Sequence, residues 1–443
     1  MLARKGTESL GLAALSAHIV ERRIPMDVTA IKSALWSAID AHKNEIVGLC
    51  ADLIKIPSEN PPGNVDEIIA FISAFLRKNA IEYRIAGPLP AFPSIVAGIG
   101  EGTALVFNGH CDVVPAGDRA RWNFDPYGGE ITATTIRGRG TSDMKCGLGA
   151  ALFTISLVNQ LNIPLKKRLE IHIVPDEETG GANGTKWLVE NGYADSAFAC
   201  IVAEPTGNDT CEIGQKGQIR IHLTAEGKAA HGSIGNYVGE NAIMKMAKLL
   251  GYLDELRTMQ GVYSPSQTQV LLDSMRIAQE KLNRPNVGDA IDHVTVNPGI
   301  IKGGTKINMV PDLCEADIDV RIPIGLPSSS VIARFEDIVR RQGLSKIRYR
   351  FETSEANYTE VSDPLVQTIV KSAEEVWGHK VVPAYQWASS DARYYRIKGV
   401  PTLQYGPSNT EGIHAYNEDV DIEDVINATK VYAAAICDLV VKD

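Results

Sequence analysis

Five stretches of this chain place histidines and carboxylates where a strand should run out. GHCDVVP carries His110 and Asp112, and GRGTSDMKCG carries Asp143. LEIHIVPDEETGG carries Glu177 and Glu178, CIVAEPT carries Glu204, and GPSNTEGIHAYNED carries His414. Imidazole and carboxylate together suit a metal cation. Hydrolysis at such a centre needs a cation to activate water and a spare carboxylate to take the proton. This set can provide both.

Singly, each motif has a plainer reading. On a strand, His110 and Asp112 point to the same side, so Asp112 could orient the imidazole without touching a metal. An ordinary core histidine at a strand end fits HxD as well. Asp143 lies in a Gly-rich turn ahead of a helix, where a carboxylate can bridge two cations or simply cap the helix. Glu177 and Glu178 cannot both point the same way in an extended chain. One can ligate while the other faces water, or both can stand in a solvated acidic turn, to which Asp176 is assigned. Glu204 directly follows an apolar strand, where a charge is costly unless paired or metal-bound; an exposed loop acid is the alternative. His414 falls in a loop after the last strand. All five candidate ligands therefore sit at carboxyl ends of predicted strands, where open α/β sheets place their sites.

The elements that must position these residues follow from the apolar spacing. Helices are expected over 28–55, 65–79, 147–161 and 183–191, with strands at 81–85, 94–99, 104–108, 169–174 and 198–203. Such alternation predicts an α/β catalytic domain, a mixed sheet with helices on both faces. From Gly217 the pattern changes: QIRIHLTAEG alternates polar and apolar, as a half-exposed antiparallel strand does. A helix over 241–258, strands at 292–301 and 313–322, a helix over 328–341 and a strand at 347–352 complete an inserted α+β two-layer sandwich. The α/β pattern then resumes with a helix over 365–377, a strand at 401–405 and a helix over 422–440. The expected division is an extension at 1–26, a catalytic domain at 27–217 and 354–443, and the insertion at 218–353. Within the polar stretch 261–291, Leu271, Leu272, Met275, Ala278 and Leu282 fit one helical face. That helix is expected to pack on its own domain, with a dimer contact or a cap over the substrate as the sharper alternative.

Bulk properties narrow the class. A chain of 443 residues exceeds one ordinary core. The formal charge of −10 argues against a nucleic-acid partner, which needs clustered Lys and Arg. No apolar run reaches the roughly 18 residues of a membrane span. The seven cysteines are odd in number and scattered with no CxxC, which reads as free thiols in a reducing, cytoplasmic compartment. Residues 1–26 read as a dispensable extension, with Met26 as an alternative start.

The motif order GHxDVVP, GRGxxDMK, DEExG, EP and a late GP…H resembles that of the zinc aminoacylase / acetylornithine deacetylase / succinyl-diaminopimelate desuccinylase / glutamate carboxypeptidase family, from about Asp27 to the C-terminus and including the inserted domain. The resemblance implies two zinc ions, with cobalt or manganese as alternatives. His110, Asp143 and Glu204 would hold one, and Asp143, Glu178 and His414 the other. It makes Asp112 the orienting acid and Glu177 the general base. In the insertion, His231 in GKAAHGS resembles the family's oxyanion donor, often supplied across a dimer. Asn308 in GGTKINMVP resembles a second polar contact. Arg321 in DIDVRIP resembles the residue that grips a substrate carboxylate, and Lys216 in GQKGQ is a further candidate. The implied activity is hydrolysis of an N-acyl amino acid or related carboxylate-bearing amide by a homodimer joined through the inserted domain. A carboxypeptidase or dipeptidase with the same site is the near alternative. A metal-free protein that binds a carboxylate ligand on the same fold is the alternative of another class.

Overall fold

A computed structural model describes residues 27–442 except Ser345, so the expectation for 1–26 concerns residues outside those described. The chain divides into two compact units. The first comprises the described residues up to Ile213, Thr359–Pro383 and the chain from Ser390 onward; the second comprises Gly214–Tyr358 and Ala384–Ser389.

The first unit opens with α1 (Val28–Ala41), α2 (Lys43–Ile54) and α3 (Asp66–Lys78). One continuous helix was expected over the first two. They break at His42, whose φ of −105° and ψ of 19° leave the helical range while it caps both. Then come β1 (Glu82–Ala86), β2 (Ser94–Ile99), β3 (Ala104–His110), β4 (Glu130–Ile131) and β5 (Thr135–Arg137). Next are α4 (Cys146–Gln160), β6 (Arg168–Val174), α5 (Thr185–Glu190), β7 (Ala197–Val202) and β8 (Thr210–Gln215), along which the chain leaves the unit.

The second unit contains β9 (Gly217–Glu226), α6 (Ala242–Leu250), α7 (Pro265–Leu282), β10 (Thr295–Gly303), β11 (Leu313–Ile322), α8 (Ser328–Arg341), β12 (Ile347–Ser354) and β13 (Asn357–Tyr358). The chain returns through α9 (Pro364–Trp377), β14 (Val382–Gln386), α10 (Ala392–Lys398), β15 (Thr402–Gln404), β16 (Asp419–Asp421) and α11 (Ile422–Val440).

In the first unit the sheet runs β1-β2-β6-β3-β7-β15-β8. β3, β6, β7 and β15 are mutually parallel, so their carboxyl ends share one edge. Successive side chains of β3 face opposite sides. Val106 packs with Val189 of α5 and Tyr395 of α10, whereas Phe107 meets Tyr432 of α11 at 5.1 Å between rings. Helices therefore cover both faces. α4 is buried nearly all round, from Cys146 to Val158, as its uniformly apolar sequence demands. It starts close against the sheet because residue 147 is glycine: a Cβ there would stand 2.1 Å from the Ala203 carbonyl.

In the second unit, β10-β11-β9-β12 form an antiparallel sheet. β9 and β11 alternate strictly, turning Ile219, Ile221, Leu223, Ile318 and Val320 onto Met246 of α6 and Phe335 of α8. This is a two-layer α+β unit. The helix expected over 241–258 stops at Leu250 before Gly251 and resumes as a 3₁₀ stretch, Leu253–Thr258. α7 starts at a capping box on Ser264 with Pro265 in its first turn. Its buried side is Val270, Leu271, Ser274, Ile277 and Ala278, while Leu272 and Leu282 are exposed. The buried face is therefore rotated from the expected one, taking in Val270, Ser274 and Ile277 in place of Leu272, Met275 and Leu282. The Ser274 hydroxyl donates to the Val270 carbonyl at 2.5 Å and accepts the Tyr385 amide at 2.8 Å, so burial leaves it satisfied.

Candidate active site

The shared carboxyl edge of β3, β6, β7 and β15 delivers the charged residues of the first unit to one place. His110 ends β3, Glu177 and Glu178 follow β6, Glu204 follows β7, and His414 lies on the loop after β15. Asp143 joins them from the turn that precedes α4.

The His110 ring is buried. Its Nδ1 lies 2.9 Å from the main-chain oxygen of Asp112 and 3.5 Å from that residue's Oδ1. Both neighbours are acceptors, so Nδ1 carries a proton. Nε2 then faces Asp143 Oδ1 at 3.0 Å and Glu204 Oε1 at 3.9 Å. His414, at a left-handed φ of 58°, directs Nε2 to Asp143 Oδ2 and Glu178 Oε2, each at 3.2 Å. Two triplets result, His110–Asp143–Glu204 and Asp143–Glu178–His414, with the ligand atoms of each within 4.8 Å of one another. Asp143 is common to both, one oxygen toward each histidine.

The electrostatics fit bound cations. Burial first, then the Asp143 charge, pushes Glu178 and Glu204 above the ordinary carboxylate range. Burial also acts to raise Asp143, but hydrogen bonds from His110 and His414 outweigh it and hold its carboxyl low. Hydrogen bonds to Asp143 and Glu178 push His414 up to about 10. A cluster this rich in acids, with nitrogen and oxygen atoms gathered in two triplets, matches the N/O donor set of two divalent cations.

Glu177 differs from its neighbours. Burial and then Asp391 push its carboxyl well above the usual range. Among the described residues no hydrogen bond to its carboxylate is formed.

Asp112 Oδ2 accepts Asn60 Nδ2 at 2.9 Å and the Glu178 amide at 3.3 Å, so it ties the His110 strand to the Glu178 turn. Asp176, expected in solvent, is buried instead. Its Oδ2 accepts the Asn183 amide at 2.7 Å as the glycine-rich segment folds back over it, and burial raises its carboxyl to about 6.

Three residues went unnoticed in the sequence. Glu418, in the polar run after His414, accepts the amides of Gly140, Ser142 and Asp143 and pairs with buried Arg139 at 2.6 Å. Asn60 also reaches Thr179 Oγ1 at 3.1 Å. Its signal was Asn ahead of Pro-Pro-Gly in a loop between helices. Lys145, fully buried, donates to the carbonyls of Leu53 and Ile56, joining the end of α2 to the start of α4.

The remaining candidates belong to the second unit. His231 Nδ1 lies 2.8 Å from Ser233 Oγ, and the ring is exposed. The neighbouring Gly232 amide donates to the Asn308 carbonyl at 2.9 Å, so the two expected polar contacts sit on adjacent loops. Arg321 Nε donates to Asp319 Oδ2 at 2.9 Å. Lys216 is buried and donates to the carbonyls of Ala290 and His293 at 2.6 and 2.7 Å. Burial, then the Arg321 charge, lowers its ammonium to about 7.

Residues 106–438 match the family model described as peptidase family M20/M25/M40. The chain belongs to this family. It is accordingly a hydrolase acting on amide bonds. An N-formyl-4-amino-5-aminomethyl-2-methylpyrimidine deformylase of Halalkalibacterium halodurans is 27% identical over 433 residues, covering 89% of this chain and 94% of the relative. A probable succinyl-diaminopimelate desuccinylase of Staphylococcus epidermidis is 27% identical over 397 residues, covering 87% and 95%. The crystal structure of an M20 family metallo-carboxypeptidase from Sulfolobus solfataricus shares the fold, with a TM-score of 0.74 at 19% identity over 89% of this chain and 98% of that one.

Proposed function

We propose that this M20-family hydrolase is a dinuclear zinc deacylase that cleaves the amide of an N-acyl amino acid or a related carboxylate-bearing amide. The observation that carries this reading is the placement of Asp143, its two oxygens 3.0 and 3.2 Å from the ring nitrogens of two histidines. His110, Asp143 and Glu204 would hold one ion, and Asp143, Glu178 and His414 the other. The nitrogen and oxygen donors suit zinc, and cobalt or manganese would fit the same set. When bound, the pair would polarise the scissile carbonyl and make water acidic enough to react near neutral pH.

The chain's own residues do the rest. Glu177, free of donors, takes the proton of the attacking water and passes it to the nitrogen of the leaving amine. Asp112 holds the His110 tautomer and ties it to the Glu178 turn. His231 is the oxyanion donor, worth ~3–4 kcal/mol at comparable sites. Asn308 is a second polar contact. Arg321 grips the substrate carboxylate, a task its planar fork suits better than an ammonium, with Lys216 a candidate for the same group.

A second copy of the chain is the expected partner, joined through the inserted unit. β10 supports this: it is an edge strand with Ile300 and Ile301 about half exposed, and unpaired apolar edges invite pairing. A cytoplasmic location is supported by seven cysteines that are all free and buried. Among the described residues no helix is long and apolar enough to cross a membrane.

The test is amine release from a panel of N-formyl, N-acetyl and N-succinyl amino acids set beside dipeptides. Preferential turnover of the blocked amino acids is expected. Cleavage confined to peptides bearing a free α-amine would overturn the deacylase reading in favour of a dipeptidase. The carboxypeptidase alternative draws support from the metallo-carboxypeptidase fold match, and C-terminal trimming of blocked peptides would reveal it.

A further inference from the structure

Because Glu177 has no donor among the described residues, the place of its carboxylate rests on its own backbone. That backbone is a tight turn. The Gly180 amide donates to the Glu177 carbonyl at 2.7 Å and the Gly181 amide to the Asp176 carbonyl at 2.8 Å. Gly180 and Gly181 lie at φ of 105° and 66°, in the left-handed region that favours glycine.

One carbonyl of this turn is held from outside. Gly180 O accepts Arg393 Nη2 at 2.8 Å and the Tyr394 hydroxyl at 2.6 Å. The clamp is itself fixed. Arg393 is buried, donates Nη1 to the Ser390 carbonyl at 2.8 Å, and lies 4.4 Å from the centre of the Tyr394 ring. Asp391 closes the other side, since a Cβ on Gly181 would stand 2.2 Å from its Oδ1.

We infer that Arg393 and Tyr394 are positioning residues for hydrolysis, acting through the Gly180 carbonyl to set Glu177 and Glu178 relative to His414 and Asp143. This inference rests on the dinuclear reading above. A clamp of this kind spends no binding energy on substrate. Its loss should appear in kcat and in the hold on the ion bound by Glu178, and should leave KM largely alone.

The experiment compares full-length, zinc-loaded parent protein with Arg393→Lys and Tyr394→Phe. Three readouts are needed: kcat and KM on the best N-acyl substrate, zinc affinities from chelator competition, and Tm. Tyr394→Phe removes one hydroxyl without disturbing a charge and keeps the test open should Arg393→Lys fold poorly. Changes to groups that orient metal ligands typically cost 10–100-fold. The expected result for Arg393→Lys is a kcat loss of about that size with KM within about threefold and weaker binding of one of the two zinc ions. Tyr394→Phe should show the same pattern more mildly. Unchanged kcat and unchanged zinc affinities in both variants would overturn the inference. So would a raised KM at unchanged kcat, which would make Arg393 a substrate contact. Chelator competition needs no substrate: a parent protein that fails to bind two zinc ions would refute the dinuclear reading, and a normal parent with unaffected variants would refute the clamp alone.

Discussion

Glu418 Oε1 accepts the main-chain amide of Asp143 at 3.2 Å, and this bond reaches across most of the first unit's sequence. The same carboxylate takes the amides of Gly140 and Ser142 and the guanidinium of Arg139. Four donors on one acid freeze the turn that presents Asp143. Without that turn fixed, the two oxygens of Asp143 could not face His110 and His414 together.

Glu418→Gln should therefore be costly. It leaves Arg139, which is 3% exposed, without its counter-charge. Breaking a buried pair from one side costs about 3–5 kcal/mol. Denaturant unfolding should show a loss of that order, and metal binding should weaken with it. A variant as stable as the parent would show that the turn is held by other means.

Glu177→Gln should separate chemistry from architecture. Loss of a general base typically costs 10²–10⁴-fold in rate. Since Glu177 belongs to neither ligand triplet, metal content should be unchanged. Its ionised form is already disfavoured by burial and by Asp391, so Tm should hold or rise. Metal loss in this variant would place Glu177 among the ligands.

Lys216→Met removes a donor from two carbonyls, of Ala290 and His293. Leaving half-buried acceptors unpaired costs up to about 1–3 kcal/mol, so a lower Tm is expected. Arg321→Lys, by contrast, should raise KM with little change in Tm, because it loses the bidentate fork. A raised KM at unchanged Tm in Lys216→Met would instead put that ammonium on the substrate.

Asp424, in the first turn of α11, has its carboxyl raised to about 7 by burial and by Asp421 and Glu423. An acid whose folded pKa exceeds its unfolded value opposes folding once ionised. Its contribution should be harmless below about pH 4 and increasingly unfavourable up to about pH 7. Asp424→Asn should gain Tm over the parent across that window and hold the gain above it. A gain independent of pH would point to something other than ionisation.

What could be read from the sequence, and what could not, divides along physical lines. Long apolar periodicities were legible: β11 and α8 fall at Leu313–Ile322 and Ser328–Arg341, as expected from their alternation and amphipathic spacing. β8, β14 and α10 were missed. They are short, and TCEIGQ and ARYYRIK carry too few apolar residues to show a period. The residues that converge in the two triplets were visible because each stands at a strand end or Gly-rich turn with a distinctive neighbour. Glu418 was not, because an acid in a polar loop carries no local sign that it will be buried on a distant turn. Asp176 misled for the converse reason: acids in a row look solvated, and only the fold shows one of them turned inward.

Elemental analysis of the purified chain, paired with amine release before chelation, after it and after zinc is resupplied, tests the central claim most directly. Two triplets sharing Asp143 predict about two zinc ions per chain, activity abolished by the chelator and restored by zinc. A chain that retains no metal after resupply, or that turns over substrate at full rate without it, would contradict the account.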